Sequence, residues 1–149
     1  MEKQFEDYFS EIQADMVDIC LEYIEDKAEI IYIYCSNENG VVSCNFFYKI
    51  NGVLKRKHKV NEVLSEPVDI SPGQQREVLG ILRDDTLKIE ELCKKNSRDV
   101  PTEIKMVYDV VNQSLSADYR YDLVYSKHKS KMSDDIVDKW FKKLQKGKK

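Results

Sequence analysis

Apolar side chains recur every three or four residues near the start of the chain, from Phe5 through Ile12 and Met16 to Ile24. This spacing predicts an amphipathic helix over residues 3–26 whose apolar positions face the protein interior. The other face is almost wholly acidic. Five of its acids lie along one line of the helix, because they recur at spacings of three and four, and we call them the acidic ridge: Glu11, Asp15, Asp18, Glu22 and Glu25.

Three strand patterns follow this helix. Residues 29–36 and 41–50 are short runs rich in β-branched and aromatic side chains, separated by a polar turn. Asn51 and Gly52 tolerate the positive φ angles of a type I′ turn, which predicts a third antiparallel strand over residues 53–60. Its lysines and arginine are typical of a sheet edge, where charge discourages further pairing.

The second half of the chain begins with a helix signal. Ser71, Pro72 and Gln74 are typical of a capped helix start, and the apolar positions that follow predict a helix to about Asn96. Two stretches of alternating polarity then predict a half-exposed antiparallel hairpin, with its second strand over residues 115–125.

A last helix is predicted to begin at Ser133, with a packing face formed by Ile136, Val137, Trp140, Phe141 and Leu144. Residues 145–149 are expected to form a frayed tail. The predicted order is α-β-β-β-α-β-β-α, without βαβ alternation. This order predicts a single α+β domain over residues 1–149, with three helices and a mostly antiparallel sheet of about five strands.

Length and composition fit this interpretation. The 149 residues, 42% of them hydrophobic, suffice for one domain with its own core. The longest apolar run, residues 30–35, is far below the roughly 18 residues that a membrane helix requires. The chain starts without a basic region followed by an apolar stretch, so we expect a cytoplasmic protein with no membrane partner.

The net charge of −3 conceals a strong polarity along the chain. Residues 1–30 hold ten acids and two lysines, a net charge of −8. Residues 125–149 hold nine lysines and three aspartates, a net charge of +6. A partner attracted by charge is therefore expected to meet one end of the chain.

Candidate catalytic chemistry is limited to Glu103 and Lys105, which match the E-x-K half of a metal-dependent nuclease site. Such a site needs a further acid to hold Mg²⁺, and Asp69, Asp99 or Asp118 are candidates without diagnostic spacing. The sequence contains no phosphate-binding loop, nucleophile elbow or zinc motif. We predict a protein that is not an enzyme, with no catalytic residue, metal site or cofactor.

The cysteines and histidines add little to this picture. Cys20 and Cys93 stand alone, whereas Cys35 and Cys44 flank the first hairpin and could approach each other across it. All four are expected to be reduced thiols, mostly buried. The histidines, His58 and His128, lie among lysines and are expected to be solvated. The adjacent acids Asp84 and Asp85 are expected to belong to a solvated face or a helix cap.

Two binding functions remain. The lysine-rich third strand and tail leave open a nucleic-acid-binding accessory role, against which the pI near 5.5 counts. The acidic ridge instead favours docking on a basic protein, since complementary charge accelerates association. An inhibitor that covers the phosphate-binding groove of a nuclease needs such a surface. A second candidate contact set is formed by three acids of the last hairpin: Asp109, Asp118 and Asp122.

Residues 101–109 (PTEIKMVYD), 116–122 (SADYRYD) and 135–141 (DIVDKWF), preceded by the Asn-Gly hairpin and the acidic helix, resemble the YezG-like antitoxin family. These are immunity proteins of Gram-positive bacteria, usually encoded beside toxins whose nuclease domain is exported by type VII secretion. The resemblance implies a cytoplasmic, non-catalytic antitoxin that binds and neutralises its cognate toxin. It assigns no contact residues, so both contact sets rest on charge and exposure.

Overall fold

The computed structural model describes residues 4–38, 40–122 and 133–147. The helices are α1 (Phe5–Ile24), α2 (Pro72–Lys95) and α3 (Ser133–Gly147), and a short 3₁₀ helix spans Val60–Glu62. The strands are β1 (Ile30–Glu38), β2 (Val41–Ile50), β3 (Val53–Arg56), β4 (Glu103–Asp109) and β5 (Ser114–Arg120). This confirms the predicted α+β class and the predicted order of helices and strands.

The five strands form one antiparallel sheet in the order β3-β2-β1-β4-β5. β1 and β2 are adjacent in sequence and paired, short turns join β2 to β3 and β4 to β5, and α2 lies in the connection from β3 to β4. β1 is the central strand: Ile33 lies opposite Phe46 of β2 on one side and opposite Met106 of β4 on the other.

The first two helices pack side by side on one face of the sheet, which we call the two-helix face. Met16 of α1 and Leu82 of α2 are fully buried there against Ile33 and Met106 of the sheet. Burial of an aliphatic side chain of this size contributes about 1.5–3 kcal/mol, so each of these residues contributes substantially to the stability of the fold.

The third helix covers part of the opposite face, which we call the α3 face. Tyr32 and Phe47 stack with ring centroids 4.8 Å apart, and Trp140 contacts both rings edge-on at 5.8 and 5.2 Å. Phe141 lies 5.1 Å from Phe47. The apolar residues predicted for the packing face of the last helix thus meet an aromatic patch of the sheet.

The third strand is shorter than its sequence pattern predicts, because it ends at Arg56 and not at residue 60. The hydroxyl of Tyr23 donates a hydrogen bond to the carbonyl oxygen of Lys57 at 2.8 Å, and Val60 turns into the core. These contacts with α1 draw the chain away from the sheet edge, so the prediction of a strand over residues 53–60 is wrong.

The second strand of the last hairpin is shorter than its sequence pattern predicts. β5 ends at Arg120, so residues 121 and 122 of the predicted strand lie outside the sheet. Residues 123–125 and His128 lie outside the described residues. None of the described helices has the length and apolar character that crossing a membrane requires.

Ser71 caps the second helix as predicted, since its Oγ accepts a hydrogen bond from the Gln74 N–H at 3.3 Å. In a capping box the side chain of Gln74 would accept a hydrogen bond from the backbone N–H of Ser71. Here this N–H donates to Asp69 Oδ1 at 2.9 Å. The start of α2 is therefore anchored from both sides of the cap.

We expect Ser71→Ala to lower the free energy of unfolding by about 1 kcal/mol, because the Gln74 N–H loses its acceptor. Urea unfolding monitored by circular dichroism would measure the change. Ser65→Ala, in the exposed segment before the helix, is the matched control and should be close to neutral. Equal stability of the two variants would contradict the capping role.

Candidate partner-binding surface

The acidic ridge is exposed along its whole length, as the sequence predicts. α1 contains no lysine or arginine between Phe5 and Ile24. At a rise of 1.5 Å per residue, the line from Glu11 to Glu25 is roughly 21 Å long. The structure therefore presents one straight negative line on the outside of the two-helix layer.

The negative charge in the second half of the ridge is unfavourable for the helix that carries it. Glu22 and Glu25 lie at the C-terminal end of α1, where the helix dipole is negative and cations would be stabilising. Glu25 is the C-cap in a left-handed conformation, and Lys27 forms an ion pair with it at 3.3 Å. The stability of the helix therefore does not explain the two glutamates at this end. Their position is consistent with a role in binding.

The first half of the ridge borders a groove of about 900 Å³ between α1 and α2. Glu11 and Asp15 line one side, and three lysines of α2 line the other: Lys88, Lys94 and Lys95. These lysines partly compensate the negative potential of this half. Asp18 and Glu22, in the other half, form no ion pair within the described parts of the chain.

Asp85 of α2 faces the ridge from below and is only 1% exposed. The carboxyl group of Asp15 lies close enough to act on the pKa of Asp85, and a hydrogen bond between two carboxyl groups requires a proton on one of them. Oδ2 of Asp85 meets no hydrogen-bond donor among the described residues, and Lys88 Nζ lies 3.7 Å from Oδ1. A proton on Asp85 is therefore favoured, because it removes a buried negative charge.

Burial raises the pKa of Asp85 to about 7, with a further contribution from Asp15 and an opposing one from Lys88. The sequence prediction of a solvated acid at this position is wrong. The local sequence pattern could not predict the raised pKa, because Asp15, which contributes to it, belongs to another helix.

The hairpin acids have local roles that the sequence did not reveal. Asp109 accepts hydrogen bonds from the backbone N–H and the Nδ2 of Asn112 at 3.1 and 2.8 Å, which lowers the pKa of Asp109 and holds the turn. Asp122 accepts from Arg120 at 2.9 Å. Asp118 is exposed and lies opposite Lys105 in the β4–β5 register.

The structure does not bring the two predicted contact sets together. On β4, Asp109 and Val107 lie on the same face of the sheet, and Tyr108 lies on the other. Val107 packs against the α3 layer. Asp118 belongs to the same face through its register with Lys105. Since the acidic ridge lies beyond the opposite face, a single contact patch does not contain both sets.

The positive charge of the C-terminal part is also gathered on one surface. Four exposed lysines line one side of α3 at spacings of three and four: Lys139, Lys142, Lys143 and Lys146. Lys142 pairs with Asp138 at 3.0 Å. The charge separation along the sequence thus becomes a separation across the sheet, with the acidic ridge on one side and these lysines on the other.

The E-x-K residues lie on the α3 face. Glu103 is 2% exposed and accepts a hydrogen bond from the Tyr34 hydroxyl at 2.7 Å. Lys105 lies 5.4 Å above the ring of Trp140. The register places Asp118 beside Lys105, whereas Asp69 and Asp99 lie in the segments before and after α2. In the described residues, no group of three or more His, Cys, Asp or Glu side chains is arranged to hold a metal ion.

A further groove, of about 710 Å³, lies beside the start of α1 and was not predicted from the sequence. Its aromatic walls include Phe5, Phe9 and the exposed tyrosines Tyr119 and Tyr121. The guanidinium of Arg98 lies 3.9 Å from the centre of the Phe5 ring. Strand alternation indicated that both tyrosines share one face, but not that α1 leaves an opening there.

Comparison with known proteins adds no assignment. The chain matches no protein-family model, and no curated protein matches it.

Proposed function

We propose that this chain is an immunity protein that neutralises a cognate secreted nuclease toxin by stoichiometric binding. The observation that carries the proposal is the exposed acidic ridge, and above all Asp18 and Glu22, which form no ion pair with the described residues. The resemblance of the C-terminal segments to YezG-like antitoxins points to the same function. On this proposal the protein is cytoplasmic and has no catalytic role of its own.

The chemistry of a nuclease domain explains why such a ridge would bind it. A surface that holds a nucleic-acid backbone is lined with lysine and arginine, because phosphate neutralisation supplies most of the affinity. Carboxylates spaced three and four residues apart on a rigid helix present negative charge at separations of about 5–6 Å. The ridge would compete with the nucleic acid for those cations and exclude it from the groove.

Exposed aromatic side chains next to the ridge would supply affinity beyond charge. Tyr8 is 45% exposed and lines the groove between α1 and α2 beside Glu11. Tyrosine is among the residues most enriched in the energetic centres of interfaces. We infer that Tyr8 packs against the toxin while the carboxylates set the orientation and speed of approach.

Affinity capture of the tagged full-length chain from its native cell would test the proposal. We expect a secreted protein with a nuclease domain to be retained at a fixed stoichiometry, and retention to weaken in high salt. A chain that retains DNA but no nuclease would favour the nucleic-acid-binding alternative. DNA cleavage by the purified chain with Mg²⁺, abolished by Glu103→Ala, would contradict the non-catalytic role.

A further inference from the structure

Cys35 and Cys44 are direct cross-strand neighbours in the β1–β2 ladder. The odd-numbered residues of β1 direct their backbone groups towards β4, as shown by the Asn37 N–H donating to Thr102 O at 2.9 Å. Backbone groups along a strand alternate in direction, so Cys35 and Cys44 form a non-hydrogen-bonded pair, with Cα atoms about 4.5 Å apart. This separation lies within the range of about 4.4–6.8 Å found for disulfides.

The two thiols differ in their surroundings. Cys35 is fully buried, whereas Cys44 is half-buried and its Sγ lies 3.5 Å from Thr86 Oγ1. The pKa of Cys44 is lowered, chiefly by a hydrogen bond from Cys35 and also by Thr86 and the charge of Arg83, which outweigh burial. The pKa of Cys35 is raised by the same hydrogen bond and by its burial. Cys44 is thus the nucleophilic thiol, and Cys35 is positioned to resolve it.

We propose that Cys35 and Cys44 are a redox-active dithiol that a hydroperoxide closes into a cross-strand disulfide. The Cys44 thiolate attacks hydrogen peroxide, so that an S–O bond forms, the O–O bond breaks, and the departing oxygen leaves as water after protonation. The Cys35 sulfur then attacks the Cys44 sulfur, forming the S–S bond and breaking the S–O bond. The sulfenic oxygen leaves as a second water molecule, so two thiols lose two electrons to one peroxide.

The other two thiols provide internal controls. Cys20 is fully buried, and burial raises its pKa. Cys93 is 2% exposed, and burial likewise raises its pKa. A buried protonated thiol reacts slowly with peroxide, so neither is expected to be oxidised before the pair has closed.

The test treats the folded, reduced full-length chain with hydrogen peroxide and follows its intact mass. We expect a loss of about 2 Da, the two hydrogens of one disulfide, reversed by dithiothreitol. Peptide mapping should join Cys35 to Cys44. A disulfide that joins Cys20 to Cys44, a disulfide-linked dimer, or oxidation to sulfinic acid without any loss of mass would overturn the proposal.

Single variants separate the roles of the two thiols. Cys35→Ser should stop at the sulfenic acid, seen as a gain of about 16 Da or as a dimedone adduct on Cys44. Cys44→Ser should react at least about tenfold more slowly than the wild type, because the activated thiol is absent. Cys93→Ser, the matched control, should close the disulfide at the wild-type rate. If a variant fails to fold, the mapping of the wild-type chain still decides the proposal.

Discussion

Asp85→Asn is expected to stabilise the protein at pH 8 by about 2–4 kcal/mol, the scale set by 1.4 kcal/mol for each unit of pKa shift. The wild type buries an ionised carboxylate beside Asp15 at that pH, and Lys88 offsets it in part. The amide of asparagine keeps the shape of the side chain and donates a hydrogen bond to Asp15 without a proton. At pH 4 the two proteins should differ little.

The pH dependence follows from the direction of the pKa shift. The folded-state pKa of Asp85 is about 7, above its usual value near 3.8. Between these values the folded state holds a proton that the unfolded state has released. The contribution of Asp85 to stability is therefore fully present below the lower pKa and is lost as the pH rises through the higher one.

Chemical unfolding of both proteins at half-unit steps from pH 4 to pH 8 would measure this. The difference in free energy of unfolding isolates Asp85, because other carboxylates with lowered pKa, such as Asp109 and Asp138, contribute equally to both. Asp84→Asn, at the exposed neighbouring position, is the control and should follow the wild-type curve. Parallel curves for Asp85→Asn and the wild type would show that the buried pair does not carry the proton.

Reversing the charge of Asp18 and Glu22 to lysine is expected to slow association with the toxin by about tenfold or more at low salt. The rate should also lose most of its dependence on ionic strength. The variant should fold at least as stably as the wild type, because it removes like-charge repulsion and places cations near the negative end of the α1 dipole. A loss of binding would therefore not be a loss of fold.

The matched control is Glu77→Lys with Asp84→Lys, which changes the net charge by the same amount at exposed positions outside both predicted contact sets. Stopped-flow association with the toxin nuclease domain would compare the two proteins. Equal slowing would assign the effect to net charge and not to the ridge. Slowing confined to the control would contradict an interface at the ridge.

Local rules accounted for most of the fold. Asn51 and Gly52 have φ angles of 52° and 78°, as the type I′ turn requires, and β2 has the predicted bounds. The end of β3 was not predictable from its own residues. It depends on Tyr23, whose hydroxyl reaches the chain from another element, and no window of sequence around residue 57 contains that contact.

The candidate site also combines features that the sequence predicts with features that it does not. The acidic ridge follows from helical spacing within one element, and the structure confirms its exposure. The pKa of Asp85 depends on Asp15, which lies seventy positions away in the sequence. Neither this shift nor the burial of Asp85 could be predicted from the two adjacent acids at positions 84 and 85. The separation of the ridge from Asp109 and Asp118 likewise required the sheet register.

The proposed immunity function is tested by titrating the DNA cleavage of the captured nuclease with the purified chain. If the proposed function holds, cleavage by the cognate nuclease should fall in proportion to the added chain and reach zero at a fixed molar ratio. The ridge variant with lysine at positions 18 and 22 should require a clear excess, and the charge-matched control should not. Undiminished cleavage in the presence of micromolar folded protein would contradict the account.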